Sequence, residues 1–351
     1  MNTSRLGVGI IGAGPVTQAI HLPTLSRLEG LFRVAHIADV DASIARSVAG
    51  RVGARWSADI DDLLRDPDVE IVAVCSPHQF HADQVIAACR AEKRGVLCEK
   101  PFAMDAEQAQ HIVDVSHETG VPIVVGAMHT YDPGWLAAAE RWGDLPQTAH
   151  TIRSSIVLPA NARFEDAATE VITRPTPPHL DFRDPNVQAA QIVGGVMGLA
   201  IHDLPLVRTF TPDFREIEVL SASFRAPSGY HINARAGGRL IELNAVMNQT
   251  AHPRWEFEAI SDDQALDVAF TPSYVQAGSA RAQLRSDGIA SVLGPFGHNG
   301  YEEEWRDLAA IAHGAVQKRS TDSLIDDLSF ALDIAAKSSA FILEHAQGIP
   351  A

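Results

Sequence analysis

Apolar and polar positions follow two regimes along the chain. Up to Gly126, short apolar runs at 6–11, 32–38, 69–74, 96–98 and 121–126 are bounded by glycine, proline or charge, as buried strands are. Helical spacing fills the intervals at 15–28, 58–65, 78–91 and 105–119. Strands alternating with helices predict a doubly wound parallel sheet. After Gly126 the pattern changes. A helix carrying Trp135 and Trp142 leads to a strand at 147–158, and the stretch 159–186, with Pro175, Pro177, Pro178 and Pro185, reads as a loop. Loops of that length are usually functional. A helix is expected over 193–210. Strand-like runs at 216–224, 230–236, 239–246, 255–261 and 265–270 then follow without intervening helices, which points to an antiparallel sheet. Helices over 301–314 and 321–347 close the chain. The fold class is therefore α/β, with a parallel-sheet domain at 1–127. An α+β domain with a large, mostly antiparallel sheet follows at 128–351.

The first strand runs into Gly12-Ala13-Gly14 and then a helix, the context that a dinucleotide fingerprint requires. Gly12 allows the tight turn, and Gly14 lets backbone approach a pyrophosphate at the helix N-terminus. Pro15 suits the first helical position, and Val16 completes the candidate cofactor turn. Thr17 stands where the third glycine belongs, so an ordinary glycine turn is the alternative. Asp39 ends the second strand. There a carboxylate can accept from both ribose hydroxyls of NAD and repels the extra phosphate of NADP. The alternative for Asp39 is a cap on the helix that starts near Asp41.

A second feature lies at Gly95–Phe102, where the strand Val96-Leu97-Cys98 runs into Glu99-Lys100-Pro101. Proline fixes its own φ and keeps the preceding residue out of the helical region. Lys100 is thus held extended at a strand's carboxyl end, where open α/β sheets bind ligands. A solvated strand end is the plain alternative. Ser76, Pro77 and His81 follow the preceding strand and are candidates for the ribose–nicotinamide end of the cofactor; an ordinary turn is the other reading.

Composition narrows the partners. The chain has 351 residues, a length that suits about two domains, and 46% hydrophobic content. Its net charge of −16 argues against nucleic acid or an anionic membrane as partner. Cys75, Cys89 and Cys98 have no metal-ligand spacing and suggest reduced thiols in a cytoplasmic protein, with no metal site expected. Residues 1–5 are short and polar, so no signal peptide is expected, and no run has the length of a membrane span.

The motifs together resemble the Gfo/Idh/MocA oxidoreductases, the glucose–fructose oxidoreductase and inositol dehydrogenase group. They are Gly12-x-Gly14, Ser76-Pro77 with His81, Glu99-Lys100-Pro101, Tyr131-Asp132-Pro133, and Gly194-Gly195 leading to His202. The resemblance implies an N-terminal Rossmann domain and a C-terminal domain whose sheet pairs subunits into a homodimer or homotetramer. It implies hydride transfer between NAD (NADP less so) and a sugar, cyclitol or related polyol. Lys100 would sit between nicotinamide and substrate, positioned by Glu99 and Pro101. The family's Asp-x-x-x-His helix signature retains His202 here, but Gly198 occupies the aspartate position. Pro205 replaces a later carboxylate, and Asp203 lies beside the histidine. His129-Thr130 stand where relatives often carry arginine.

Oxidising an alcohol needs a base with a pKa near the working pH, and His202 fits that task with Lys100 hydrogen-bonding the developing alkoxide. A core histidine is the alternative for His202. His129, Tyr131 and Asp203 are candidate substrate-pocket residues. Glycine at 198 also suits a larger substrate, so a reductase of a keto or imino biosynthetic intermediate is a competing reading. A non-catalytic NAD-binding sensor is another, and a non-redox reaction with transient NAD reduction a further one.

Overall fold

The computed structural model describes residues 5–346 apart from 175, 177, 178 and 249. Pro175, Pro177 and Pro178, and the expected helix end at Gln347, lie outside the described residues. The chain forms two compact units. The first holds the residues up to Gly126 together with Phe164–Thr176 and Tyr301–Leu328; the second holds Ala127–Arg163, Pro177–Gly300 and the residues from Ser329 onward.

The first part of the chain runs β1 (Leu6–Ile11), a π-helical turn (Thr17–His21), α1 (Leu22–Arg27), β2 (Phe32–Ala38), α2 (Ala42–Val52), β3 (Arg55–Ser57) and α3 (Ile60–Arg65). It continues through β4 (Ile71–Val74), α4 (His81–Arg90), β5 (Gly95–Cys98), α5 (Ala106–Thr119) and β6 (Ile123–Val125). All six strands are parallel, in the order β3-β2-β1-β4-β5-β6. The order reverses between β1 and β4, and dinucleotides bind in the crevice at such a switch point. β1, β4, β5 and β6 are buried at every position, which explains their unbroken apolar runs. Asp41, Asp59 and Asp105 cap α2, α3 and α5 by accepting from first-turn N–H groups. The short β3 went unpredicted because two of its three residues are exposed and no apolar run announces it.

Next come α6 (Pro133–Ala139), α7 (Leu145–Thr148), β7 (Thr151–Leu158), α8 (Ala162–Ala168), α9 (Pro185–Gly198) and α10 (Leu204–Thr209). They are followed by β8 (Glu218–Phe224), β9 (Ser228–Ala236), β10 (Arg239–Met247), β11 (Arg254–Ile260), β12 (Gln264–Phe270), β13 (Arg281–Ser286) and β14 (Ile289–Leu293). α11 (Gly300–Ala312) and α12 (Thr321–Ala346) end the described chain. The second sheet has eight strands in the order β14-β13-β12-β11-β7-β10-β9-β8. Every pair is antiparallel except β7 with β10. Its inner face meets an aromatic cluster in which Trp135 packs edge-on against Trp142, Phe210 and Phe257.

Three expectations need correction. The 159–186 stretch is not all loop: α8 lies within it, steadied by Arg174 paired to Glu165 and Asp166. Seven residues are too few to show a helical period, and these ion pairs form only in the folded chain. The helix expected over 193–210 starts earlier, at Pro185 behind the cap Asp184, and ends at Gly198. A 3₁₀ turn (Ala200–His202) and α10 then follow, so Gly198 and His202 do not share one α-helical face. β13 was missed because only Ala282 and Leu284 in it are apolar, and β14, though apolar, is a short and largely exposed strand. Their Asp287-Gly288 turn, with φ of 53° and 73°, was the hairpin signal available in the sequence.

Candidate active site

In the first unit the turn after β1 is built around Gly12. Its φ is +94°, and a Cβ there would lie 2.8 Å from the Cys75 carbonyl. Only glycine fits. A Cβ on Gly14 would meet nothing within 4 Å, so backbone is open on the side where a pyrophosphate would approach. Thr17, in place of the third glycine, closes the turn by donating its hydroxyl to Gly12 O at 2.6 Å. Asp39 is not the helix cap; Asp41 is. Asp39 Oδ2 accepts from Ala13 N at 2.7 Å and Oδ1 from Asp41 N at 2.9 Å. Each oxygen keeps acceptor capacity. A carboxylate locked on the glycine turn with lone pairs to spare fits a ribose hydroxyl, so these residues suit a nicotinamide dinucleotide.

The turns after β4 and β5 are tied together by His81. Its ring is buried between Ser76 O and Pro101 O, at 2.8 Å to each. Both ring nitrogens of His81 are thus engaged in holding the two turns together. Ser76 donates its hydroxyl to Gln84 Oε1 at 2.5 Å, and Pro77 is exposed. Pro15 and Val16 follow Gly14 at the helix entry.

Glu99 points inward. Its Oε2 accepts from Lys100 N at 3.3 Å, and its Oε1 lies 2.9 Å from His21 Nε2. The Trp305 indole N–H donates to His21 Nδ1 at 3.2 Å. Indole is only a donor, so Nδ1 carries a lone pair and Nε2–H donates to Glu99. Burial disfavours the imidazolium of His21, whereas Cys75 and Glu99 favour it. On balance these neighbours raise the ring well above its ordinary value, and the indole N–H on Nδ1 opposes them. Glu99 remains the carboxylate, held below its ordinary range by the His21 hydrogen bond and the Lys100 charge despite burial. Glu304, fully buried, is pushed well up by burial and by the Glu99 charge. Burial lowers the Lys100 ammonium to about 8, with Glu99 opposing. The Lys100–Pro101 peptide is cis.

The second unit brings His129, His202 and Asp203 together. Asp203 is fully buried; its Oδ1 lies 2.6 Å from His129 Nδ1. Its Oδ2 accepts from Ser154 Oγ at 2.5 Å and from Trp255 Nε1 at 2.7 Å. The His202 and His129 rings are 6.1 Å apart, and both meet Trp255 edge-on. Tyr131 is buried in the same 3₁₀ turn as His129. Asp132 has an architectural role: it caps α6 and holds Ala280 N at 2.9 Å. Among the described residues no cluster of three or more His, Cys, Asp or Glu side chains is arranged for a metal, and no helix is long and apolar enough to cross a membrane.

Sequence reasoning missed His21, Trp305, Glu304, Ser154 and Trp255. The partners are separated by 78 residues for His21–Glu99 and 284 for His21–Trp305. No local pattern couples them. Three consecutive carboxylates at Glu302–Glu304 before a tryptophan were the one available hint, since a helix face rarely buries such a run.

A family model described as an oxidoreductase family with an NAD-binding Rossmann fold matches residues 6–127. The chain is 33% identical over 251 residues to an inositol 2-dehydrogenase of Acidothermus cellulolyticus, covering 68% of this chain and 72% of that protein. It is 32% identical over 191 residues to inositol 2-dehydrogenase 3 of Saccharopolyspora erythraea, covering 53% and 56%. The chain thus spans little more than half the length of the latter relative. Among solved structures, UDP-N-acetylglucosamine 3-dehydrogenase GnnA from Acidithiobacillus ferrooxidans superposes with a TM-score of 0.72 at 18% identity, over 97% of this chain and 100% of that one. KijD10, a 3-ketoreductase from Actinomadura kijaniata in complex with NADP and TDP-benzene, gives 0.70 at 20% identity, over 94% and 97%. At such identity the likeness is one of fold. The inositol dehydrogenase match, spanning two-thirds of the chain and joined to the dinucleotide-binding model, shows that this protein belongs to the Gfo/Idh/MocA family of NAD(P)-binding oxidoreductases.

Proposed function

We propose that the protein transfers hydride between NAD and a sugar, cyclitol or glycoside-like substrate, with Lys100 and His202 handling the proton. The carrying observation is Lys100: a lysine at the carboxyl end of β5, lowered by burial to about 8 and held by a turn that Glu99 and His81 brace. An amine near the working pH can both donate to and accept from a hydroxyl. NAD supplies the hydride acceptor at its nicotinamide carbon. Gly12, Gly14, Pro15 and Val16 form its pyrophosphate turn and Asp39 takes the ribose, which disfavours NADP. Ser76 and Pro77 border the nicotinamide end. His129 and Tyr131 line the substrate pocket of the second unit.

Names of relatives support the substrate class: inositol dehydrogenases by sequence, and a UDP-N-acetylglucosamine 3-dehydrogenase and a 3-ketoreductase by fold. Copies of the chain pair through the outer face of the second sheet into a homodimer or homotetramer, and the protein works in the cytoplasm. The test is reduced-nicotinamide absorbance with NAD and a panel of cyclitols, aldoses and nucleotide sugars. Turnover of a panel member that Lys100→Ala removes supports the reading. An inert protein that binds NAD tightly would sink it. A second reading, reduction of a keto or imino intermediate, is favoured by Gly198, where a Cβ would meet nothing within 4 Å. Oxidation of NADH by keto substrates with no polyol oxidation would favour it.

A further inference from the structure

We infer that His129 is a second proton carrier of this site, with Asp203 as its positioning residue. The inference rests on the oxidoreductase reading above and goes beyond its assignment of the proton to Lys100 and His202. Four observations within the second unit carry it.

First, the His129 ring is held in one orientation. It stacks on Phe270 with centroids 3.8 Å apart at 17°, and Trp255 meets it edge-on at 4.7 Å and 87°. Second, its tautomer is set. The Asp203 carboxylate takes three hydrogen bonds, two of them from Ser154 and Trp255 on Oδ2, which leaves Oδ1 for the imidazole at 2.6 Å. A buried carboxylate with that many donors is acceptor-only, so Nδ1 carries the hydrogen and Nε2 the lone pair. Third, among the described residues nothing hydrogen-bonds to Nε2. A buried imidazole with one nitrogen on a carboxylate and the other open is the arrangement that general bases adopt. Fourth, His129 and His202 both meet Trp255 edge-on with their own rings 6.1 Å apart, so His129 stands beside the histidine to which the reading above already gives the proton.

In alcohol oxidation the O–H bond breaks, Lys100 is the first to take the proton, and Nε2 of His129 carries it onward. The C–H bond breaks with its electron pair leaving as hydride to oxidised NAD, and a carbonyl remains. Asp203 stabilises the imidazolium that forms and, by holding Nδ1, leaves Nε2 to exchange the proton. In reduction the same path runs in reverse, and the proton returns to the carbonyl oxygen.

The experiment has two arms. Nitrogen-15 NMR of histidine-labelled protein reads the His129 tautomer with no substrate present. Wild type is expected to show Nδ1 protonated and Nε2 bare, and Asp203→Asn to lose that preference. An Nε2-protonated ring in wild type overturns the pair. The second arm measures kcat/KM for the panel member turned over by wild type. His129→Gln is expected to lose about 10²–10³-fold, chiefly in kcat, with NAD affinity and folding intact. Retention within about threefold in a folded His129→Gln protein overturns the catalytic role alone. A wild type inert to the whole panel refutes the oxidoreductase reading and takes the role of His129 with it. Because His129→Gln leaves the buried Asp203 in place, it remains informative if Asp203→Asn fails to fold.

Discussion

The most demanding prediction concerns Lys100. Burial moves its ammonium from the ordinary 10.5 to about 8. A shift of about 2.5 units corresponds to about 3.4 kcal/mol of preference for the neutral amine. At pH 7 roughly one molecule in ten then carries neutral Lys100, against roughly three in ten thousand without the shift. With Lys100 as base, kcat/KM for alcohol oxidation should rise about tenfold from pH 6 to pH 7 and level off above about pH 8. Lys100→Arg keeps a charged group at all these values, so the limb should vanish and the rate fall by about 10²–10⁴-fold. Glu99→Gln removes a nearby charge that favours the ammonium and should move the limb below pH 8. The same shift has a stability consequence. The unfolded chain holds the extra proton between about pH 8 and pH 10.5, so stability should rise with pH through that window in wild type and not in Lys100→Met. The assay is initial-rate nicotinamide absorbance across pH 6–10, beside thermal unfolding. A flat profile, a limb that begins only near pH 10, or an unchanged limb in Lys100→Arg would refute the reasoning.

Further expectations follow from the cofactor turn and from Gly198. Wild type should bind NAD at least about tenfold more tightly than NADP, and Asp39→Ala should close that gap by losing about 1–3 kcal/mol of ribose hydrogen bonding; fluorescence titration with both dinucleotides checks this, and equal wild-type affinities would remove the ribose assignment. Gly12→Ala places a Cβ 2.8 Å from the Cys75 carbonyl at φ +94°. It should cost about 1–3 kcal/mol in thermal unfolding and abolish NAD binding, and an unchanged melting curve would contradict the turn geometry. Gly198→Asp meets open space. It should raise ordinary polyol oxidation, whereas lost substrate binding would show that the substrate uses that volume.

Sequence and structure divided the description along a physical line. Contiguous residues were enough for the parallel sheet, because strands buried on both faces write themselves as unbroken apolar runs between helices. They were enough to place Gly12, Asp39 and Lys100 at strand ends too, since each follows a strand by a residue or two. The structure refined those residues without moving them: it gave the cap to Asp41 and so kept Asp39 for the glycine turn. Where the apolar signal was thin or short the sequence misled, as at β3, at α8 and at β13. The histidine it singled out, His202, was expected inside a helix over 193–210 and lies instead in a 3₁₀ turn beyond the end of α9.

What only tertiary structure decided is which buried polar groups meet. His21 and Trp305 brace Glu99 behind Lys100, and Asp203 collects Ser154, Trp255 and His129 from separate strands and turns. Burying a carboxylate is costly unless donors surround it. Those donors come from wherever the fold delivers them, and spacing along the chain carries no record of it. Glu99-Lys100-Pro101 was legible from eight consecutive residues; the partners that tune it were not.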